Sequence, residues 1–220
     1  MSDRSVTAGA IAVVFADLQE GIVNVSATND PQRLRSRVAA LADLAGVFAL
    51  PVIVSCVATT GGTVAPLLAE IAGRLPDATG LVRTTANAMD DPPFRAALEA
   101  SGRTTVVVAG VATEVAVRLI ALAAHRHGFH SIVAVDACGG YDARTESATL
   151  LHLSTAGIEL SSVATIAAQL AGDFGTDRGR AAMRVLQSTF TPHAHGEEAA
   201  PDEPGERRRQ GPDDNAAIRS

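Results

Sequence analysis

Lysine is absent from this chain of 220 residues, and all 18 of its basic residues are arginine. This absence excludes any mechanism that needs a lysine ammonium group or a Schiff base. Tryptophan is also absent and aromatic residues make up only 3% of the chain, so the core must be built from Ala, Val, Leu and Ile. The only two cysteines, Cys56 and Cys138, form no spacing motif, which argues against a disulfide framework or a zinc site.

Long apolar runs are missing too. No stretch is long enough to span a bilayer, and the first ten residues, MSDRSVTAGA, lack the basic and apolar regions of a secretory signal. We therefore expect no membrane partner and a cytoplasmic location. The net charge is −6 and the folded part has no basic patch, which argues against nucleic acid as a partner.

The composition changes near the end of the chain. Up to that point apolar residues are frequent, and they make up 47% of the whole chain, enough for a large core. From Thr191 onward Pro, Gly, Glu, Asp and Arg dominate, and such a segment cannot bury enough surface to offset the entropy of ordering it. We predict one folded domain over residues 1–190 and a disordered acidic and Arg-containing tail over residues 191–220.

Apolar runs alternate with helical patterns through the folded part. AIAVVF at residues 10–15 is typical of a strand buried on both faces, and Asp30-Pro31 is a typical helix start. Further strands are predicted at residues 52–55, 80–83, 104–109, 131–135 and 158–160, and a helix is predicted at 64–73, among others. This order predicts an α/β fold with a doubly wound, mainly parallel sheet and helices on both faces.

Chemistry is expected at the carboxyl ends of these strands, where ligands bind in doubly wound sheets. Asp17 follows the first strand, Arg83 ends the third, and the fourth runs into a turn at residues 110–116. An acid, a fixed cation and backbone N–H groups at a helix start form a plausible site. An adjacent arginine would keep Asp17 ionised more readily. Structural roles stay open as well, since Asp17 could cap a turn and Arg83 could lie on the surface.

Three segments together resemble one family: FADLQ at residues 15–19, GVATEVAV at 110–117 and VAVDACGG at 133–140. They are similar to the isochorismatase-like hydrolase superfamily, which includes nicotinamidases, carbamoylsarcosine-type amidases and isochorismatases. RTTANAMDD at 83–91 is most similar to a bacterial subfamily with Arg where other members have Lys. The resemblance implies a six-stranded parallel sheet, a small-molecule ligand and a homo-oligomer.

The resemblance also assigns roles to residues. In the amidase members an Asp after the first strand acts as general base, a Lys after the third strand stabilises charge, and a Cys in the glycine turn attacks the carbonyl. These roles fall on Asp17, Arg83 and Ala116, respectively. A methyl group cannot attack a carbonyl, so Ala116 removes the step on which thiol-dependent amide hydrolysis depends.

Four further residues are implied at the substrate. The family has a cis peptide in the glycine turn, here between Val111 and Ala112, which turns backbone N–H groups toward the substrate carbonyl as an oxyanion hole. Gln19 lies in FADLQ and Asn87 lies in RTTANAMDD, and both are expected at the substrate as well.

The missing thiol leaves three explanations open. The chain could bind a small molecule without hydrolysing it, as a binding or scaffold oligomer. It could run chemistry that needs no thiol, such as the vinyl ether hydrolysis of isochorismatases, although TEVAV at residues 113–117 resembles the amidase type. A Cys-to-Ala change could also have been introduced to trap a ligand. Cys56 and Cys138 are poor substitutes, because most free cysteines are small buried hydrophobes.

Some amidase members hold a metal through an Asp and two or three His in the loop after the second strand. The corresponding loop, residues 56–63, contains no His, and the six histidines elsewhere show no ligand pattern. We predict no metal and no cofactor.

Overall fold

The computed structural model describes residues 6–58, 61–78 and 80–190. Within these residues the chain forms six strands and seven α-helices. The strands are β1 Ile11–Ala16, β2 Val52–Val57, β3 Gly80–Arg83, β4 Thr105–Val111, β5 His130–Gly139 and β6 Glu159–Ser161. The helices are α1 Pro31–Phe48, α2 Ala69–Ala72, α3 Pro92–Ala100, α4 Arg118–Arg126, α5 Ala143–Thr155, α6 Val163–Ala171 and α7 Asp177–Ser188. The predicted tail, residues 191–220, lies outside the described part.

The strands form one sheet in the order β3-β2-β1-β4-β5-β6, and all five pairings are parallel. The predicted fold class is therefore confirmed. The chain winds outward from β1 to β3 and then returns to pair β4 with β1. In such sheets a crevice opens beyond the carboxyl ends of the strands where the winding direction changes. Here that point lies between β1 and β4.

Both faces of β1 are buried, which explains its uninterrupted apolar sequence. Ile11, Val13 and Phe15 face a core shared with α1, α6 and α7. The alternate residues, such as Val14, face a second core shared with α3, α4 and α5. The period of two along a strand thus places helices on both sides of the sheet.

β1 and β4 approach closely at the crevice. A Cβ atom added to Gly110 would lie 2.2 Å from the carbonyl oxygen of Ala16, so only glycine fits there. The pairing of β4 with β5 also shifts register between Val108 and Gly110. This contact holds the turn after β4 directly beside Asp17, the residue that follows β1.

Two elements differ from the sequence-based expectation. The helix predicted at residues 64–73 is restricted to Ala69–Ala72, while Val64 forms an antiparallel bridge with Ala58. Pro66 explains the difference, because a proline disfavours helical geometry in the residue before it. Helix α7 was not predicted, since its sequence is mostly polar and only Gly179, Ala182 and Val185 of it are buried.

Candidate active site

Asp17 stands at the carboxyl end of β1 with a positive φ of 54°, a conformation that Asp tolerates better than most residues. Its backbone N–H donates to the Ser55 carbonyl at 2.9 Å. Its carboxylate accepts from Ser55 Oγ at 3.2 Å and from Arg83 Nη2 at 2.5 Å. Only 6% of Asp17 is exposed. Its carboxyl group is therefore held firmly, with little contact with water.

Arg83 is the last residue of β3 and is buried behind Asp17. Its Nε donates to Ser55 Oγ at 2.8 Å, its Nη1 donates to the Thr85 carbonyl, and its Nη2 donates to Asp17. Adjacent strands create this arrangement, because Ser55 is paired with Ala16 and the end of β2 is paired with Arg83. Each guanidinium nitrogen is therefore occupied by the protein itself.

Burial raises the pKa of the Asp17 carboxyl above its ordinary value, and it outweighs the opposite effects of the Arg83 charge and of the hydrogen bonds from Ser55 and Arg83. The expected direction of the effect of Arg83 on the pKa of Asp17 is confirmed. Arg83 does favour the carboxylate, but the loss of hydration favours the neutral acid more strongly.

A cleft of about 360 Å³ opens at the crevice between β1 and β4. Asp17 and Ala116 both line it, so the structure brings together two of the three predicted catalytic positions. The apolar lining residues are Ile22, Val25, Val57, Ala65, Val111, Ala112, Val115 and Ala116. Val111 and Ala112, the predicted backbone positions at the substrate, thus lie in the cleft wall.

Ala116 lies in a turn with π-helical hydrogen bonding, Thr113–Val117, that connects β4 to α4. Regular α-helical geometry therefore begins only at Arg118. The peptide bond between Val111 and Ala112 is cis, as predicted. The Ala112 carbonyl accepts from the N–H groups of Val115 and Val117 at 3.1 and 3.3 Å. This turn presents the Ala116 methyl group where the resemblance calls for a thiol.

Gln19, Asn87 and Arg83 are absent from the described lining of the cleft. Gln19 is fully buried. Its Nε2 donates to the carbonyls of Val57 and Ala65 at 3.1 and 3.0 Å, and its Oε1 accepts from the Val57 N–H at 2.8 Å. Gln19 therefore supports the wall that contains Val57 and Ala65.

Asn87 has a comparable local role. Its Oδ1 accepts from the Met89 N–H at 3.2 Å and caps the short turn Ala88–Asp90. Its carbonyl accepts from Thr85 Oγ1 at 2.9 Å, and Thr85 in turn accepts from Arg83. Asn87 thus shapes the segment that follows Arg83.

Sequence reasoning missed several residues of the site. Ser55 bridges Asp17 and Arg83. The sequence feature that could have identified it is its position as a polar residue at the end of the apolar strand predicted at residues 52–55. Glu20 and Tyr141 line the cleft from loops. Glu114 accepts from the Tyr141 N–H at 3.0 Å and from Thr145 Oγ1 at 2.9 Å, which fastens the Tyr141 loop to the turn around Ala116. No local pattern indicated these loop contacts.

The two thiols lie outside the described lining and are buried. Burial raises the pKa of Cys56 to about 11 and raises that of Cys138 further still. Neither thiol therefore has the depressed pKa that activates a nucleophilic cysteine. Among the described residues, no group of three or more His, Cys, Asp or Glu side chains is arranged to hold a metal ion. No helix in the described ranges is both long and apolar enough to cross a membrane.

Comparison with known proteins places this geometry in a family. A model described as "Isochorismatase domain" matches residues 11–165. The probable hydrolase YcaC of Escherichia coli K12 is 34% identical over 183 residues, which cover 83% of this chain and 85% of that protein.

Solved structures agree. YcaC from Pseudomonas aeruginosa, determined with hexane-2,5-diol and covalent acrylamide, has a TM-score of 0.81 at 28% identity and covers 86% of this chain and 94% of its own. E. coli YcaC, described as an octameric hydrolase of unknown specificity, has a TM-score of 0.79 at 31% identity and covers 85% of this chain and 91% of its own.

Proposed function

Because the chain belongs to the isochorismatase domain family and is an isochorismatase-like hydrolase by descent, we propose that it binds a small molecule in the cleft beside Asp17 but is impaired in thiol-dependent C–N bond hydrolysis. One observation supports this most directly. Asp17 and Ala116 line the same cleft, while both thiols of the chain are buried and are absent from its described lining. The cleft therefore contains a carboxyl group that could accept a proton, that of Asp17, but no thiol from which to accept it.

The chemistry follows from the atoms present. In thiol-dependent amide hydrolysis a thiolate attacks the carbonyl and water then releases the acyl group. Asp17, held by Ser55 and Arg83, could exchange a proton, but the Ala116 methyl has no lone pair for the first step. Removing the nucleophile from comparable hydrolytic units lowers kcat by on the order of 10⁶. Binding can survive such a loss, because the rest of the cleft wall is intact.

The test restores the missing atom. We expect the Ala116→Cys variant to hydrolyse members of a panel of small amides and to gain covalent acrylamide, measured by product formation and intact mass. Acrylamide is an informative probe because P. aeruginosa YcaC was crystallised with it covalently bound. Ala65→Cys is the matched control, since Ala65 also lines the cleft. Comparable amide hydrolysis by the unaltered chain and by Ala116→Cys would refute the proposal.

A second candidate function is hydrolysis of a vinyl ether with Asp17 as general acid. Burial raises the pKa of Asp17, and this direction favours the alternative, because a general acid must be protonated before it can donate. Cleavage of an isochorismate-type vinyl ether by the unaltered chain, abolished in Asp17→Asn, would establish this alternative. A chain that binds ligands but shows no turnover in either assay would be a non-catalytic binding or scaffold protein.

We also propose that the chain forms a homo-oligomer. E. coli YcaC is described as an octamer, and Leu151 and Phe190 expose large apolar side chains that a neighbouring subunit could cover. Sedimentation analysis that finds only monomer at micromolar concentration would contradict this. A cytoplasmic location is proposed because both cysteines are unpaired, as is usual in reducing compartments. Cell fractionation tests it.

A further inference from the structure

We infer that Ser55 is a positioning residue whose hydroxyl proton is fixed on Asp17, so that Asp17 exchanges its own proton only with a group in the cleft. This inference rests on the proposed function, because it takes Asp17 as the group that exchanges a proton. It adds the residue that controls this exchange. Ser55 lies in β2, is fully buried and is absent from the described lining of the cleft. It therefore acts through Asp17 and not on a ligand.

The direction of each hydrogen bond at Ser55 Oγ follows from its neighbours. Arg83 Nε lies 2.8 Å from this oxygen, and a guanidinium nitrogen can only donate. Ser55 Oγ is therefore the acceptor in that contact. A hydroxyl group has a single proton to donate, and in the described structure its acceptor is Asp17 Oδ1 at 3.2 Å. Because Ser55 is fully buried, water does not compete for that proton.

This direction decides where Asp17 can gain or lose a proton. Its Oδ1 receives the Ser55 hydroxyl proton, and its Oδ2 receives Arg83 Nη2, which stays protonated in proteins. The positions that face the protein are thus taken by donors. A carboxylate has about four acceptor positions, and Asp17 lines the cleft. The remaining positions are therefore served by groups that enter the cleft.

The Ser55 bond also affects the charge of the carboxyl group. Burial raises the pKa of Asp17, and the Arg83 charge and the hydrogen bond from Ser55 oppose it. The bond has this effect because its donor stabilises the anion more than the neutral acid. Without the Ser55 hydroxyl, Asp17 would keep its proton to higher pH. A carboxyl group that keeps its proton cannot accept one from the cleft.

Few other ionisable groups act on Asp17. Arg83 comes from β3, Cys56 comes from β2, and Glu20 lies in the described cleft lining. The turn after β4 adds no ionisable side chain to that lining. None of these groups changes when Ser55 is replaced, so a change in the titration of Asp17 can be assigned to the lost hydroxyl.

The test is an NMR titration of the Asp17 carboxyl carbon in protein that carries ¹³C in its aspartate side chains. The Asp17→Asn variant identifies the signal. We expect Ser55→Ala to move the titration midpoint of Asp17 to higher pH. Ser55→Thr keeps a hydroxyl group at the same position and should return the midpoint toward that of the unaltered chain.

Ser131→Ala is the matched control. Ser131 is fully buried in β5, and its Oγ has no hydrogen-bond partner among the described residues. This variant removes the same buried atom but no donor to Asp17, so the Asp17 midpoint should stay where it is. An equal shift in Ser131→Ala and Ser55→Ala would overturn the inference, because the shift would then not come from the Ser55–Asp17 bond.

Acrylamide reports the same proton exchange in the Ala116→Cys variant. The introduced thiol gives its proton to the Asp17 carboxylate, the sulfur bonds to the terminal alkene carbon of acrylamide, and the adjacent carbon takes up a proton. On the acidic limb of the pH profile, we expect Ser55→Ala to slow this alkylation about tenfold, as for the loss of one hydrogen bond to a charged group. Ser55→Thr should slow it less than about threefold. Alkylation unaffected by Ser55→Ala would contradict the inference.

Neutron diffraction tests the hydrogen-bond direction without any substitution, so the inference stays testable if Ser55→Ala folds poorly. In crystals of the unaltered chain exchanged into D₂O, the Ser55 deuterium should lie between Oγ and Asp17 Oδ1. A deuterium that points elsewhere, or an Asp17 midpoint that Ser55→Ala leaves unchanged, would overturn the inference. Failure of the proposed function is recognised separately, as amide hydrolysis by the unaltered chain, and neither the titration nor the neutron measurement depends on turnover.

Discussion

Arg83 and Asp17 form a buried ion pair in which Nη2 of the arginine donates to Oδ2 of the aspartate at 2.5 Å. Ser55 completes the arrangement, because its Oγ accepts from Arg83 and donates to Asp17. The arginine thus acts on the cleft only through the carboxylate that it holds. In this geometry Arg83 holds the Asp17 carboxylate in place, and the direct charge-stabilising role implied by the family resemblance stays a prediction.

Replacing Arg83 with Met should lower the free energy of unfolding by about 3–5 kcal/mol, because it leaves the Asp17 carboxylate buried without a counter-charge. Equilibrium denaturation in urea measures this loss. Arg74→Met is the matched control, since Arg74 pairs with Asp43 at an exposed site and should cost no more than about 1 kcal/mol. Equal losses in the two variants would show that burial does not set the strength of the Arg83 pair.

Gln19 supports the cleft wall through three hydrogen bonds to the backbone of Val57 and Ala65. Gln19→Ala would leave buried polar groups without partners, and we expect a loss of about 2–4 kcal/mol in unfolding free energy. Gln187→Ala, at an exposed position on α7, should change stability by less than about 0.5 kcal/mol. A Gln19→Ala variant as stable as Gln187→Ala would argue instead for a direct role of Gln19 at the ligand.

Cys56 should react slowly with iodoacetamide at neutral pH. Burial raises its pKa to about 11, so the thiolate, which is the reactive form, is a minor species until the pH approaches that value. The alkylation rate should rise about tenfold for each pH unit between 7 and 10, measured by intact mass. The thiol of Ala116→Cys lines the cleft and should react faster. Equal alkylation rates at pH 7 for Cys56 and for the thiol introduced by Ala116→Cys would contradict the raised pKa of Cys56. The Cys56→Ser variant shows which part of the modification belongs to Cys56.

The fold could be predicted from the sequence because the strands that are buried on both faces are continuous apolar runs. The run at residues 10–15 is apolar throughout, and this continuity follows from a strand packed on both faces. Asp17 and Arg83 were found for a related reason: parallel strands end at one edge of the sheet, so residues at their ends lie near one another. The cis peptide before Ala112 followed from the family motif alone.

The sequence by itself determined the α/β order, the acid at the end of β1 and the absence of a thiol at residue 116, because these are properties of single positions and of local periodicity. Only the tertiary structure decided that Ser55 joins Asp17 to Arg83, that Gln19 supports the wall from behind, and that Glu20 and Tyr141 reach the cleft from loops. Such contacts join residues far apart in the chain, and they depend on how strands and loops converge in three dimensions, which no local pattern records. The opposed effects of burial and ion pairing on Asp17 likewise could be weighed only once its surroundings were known.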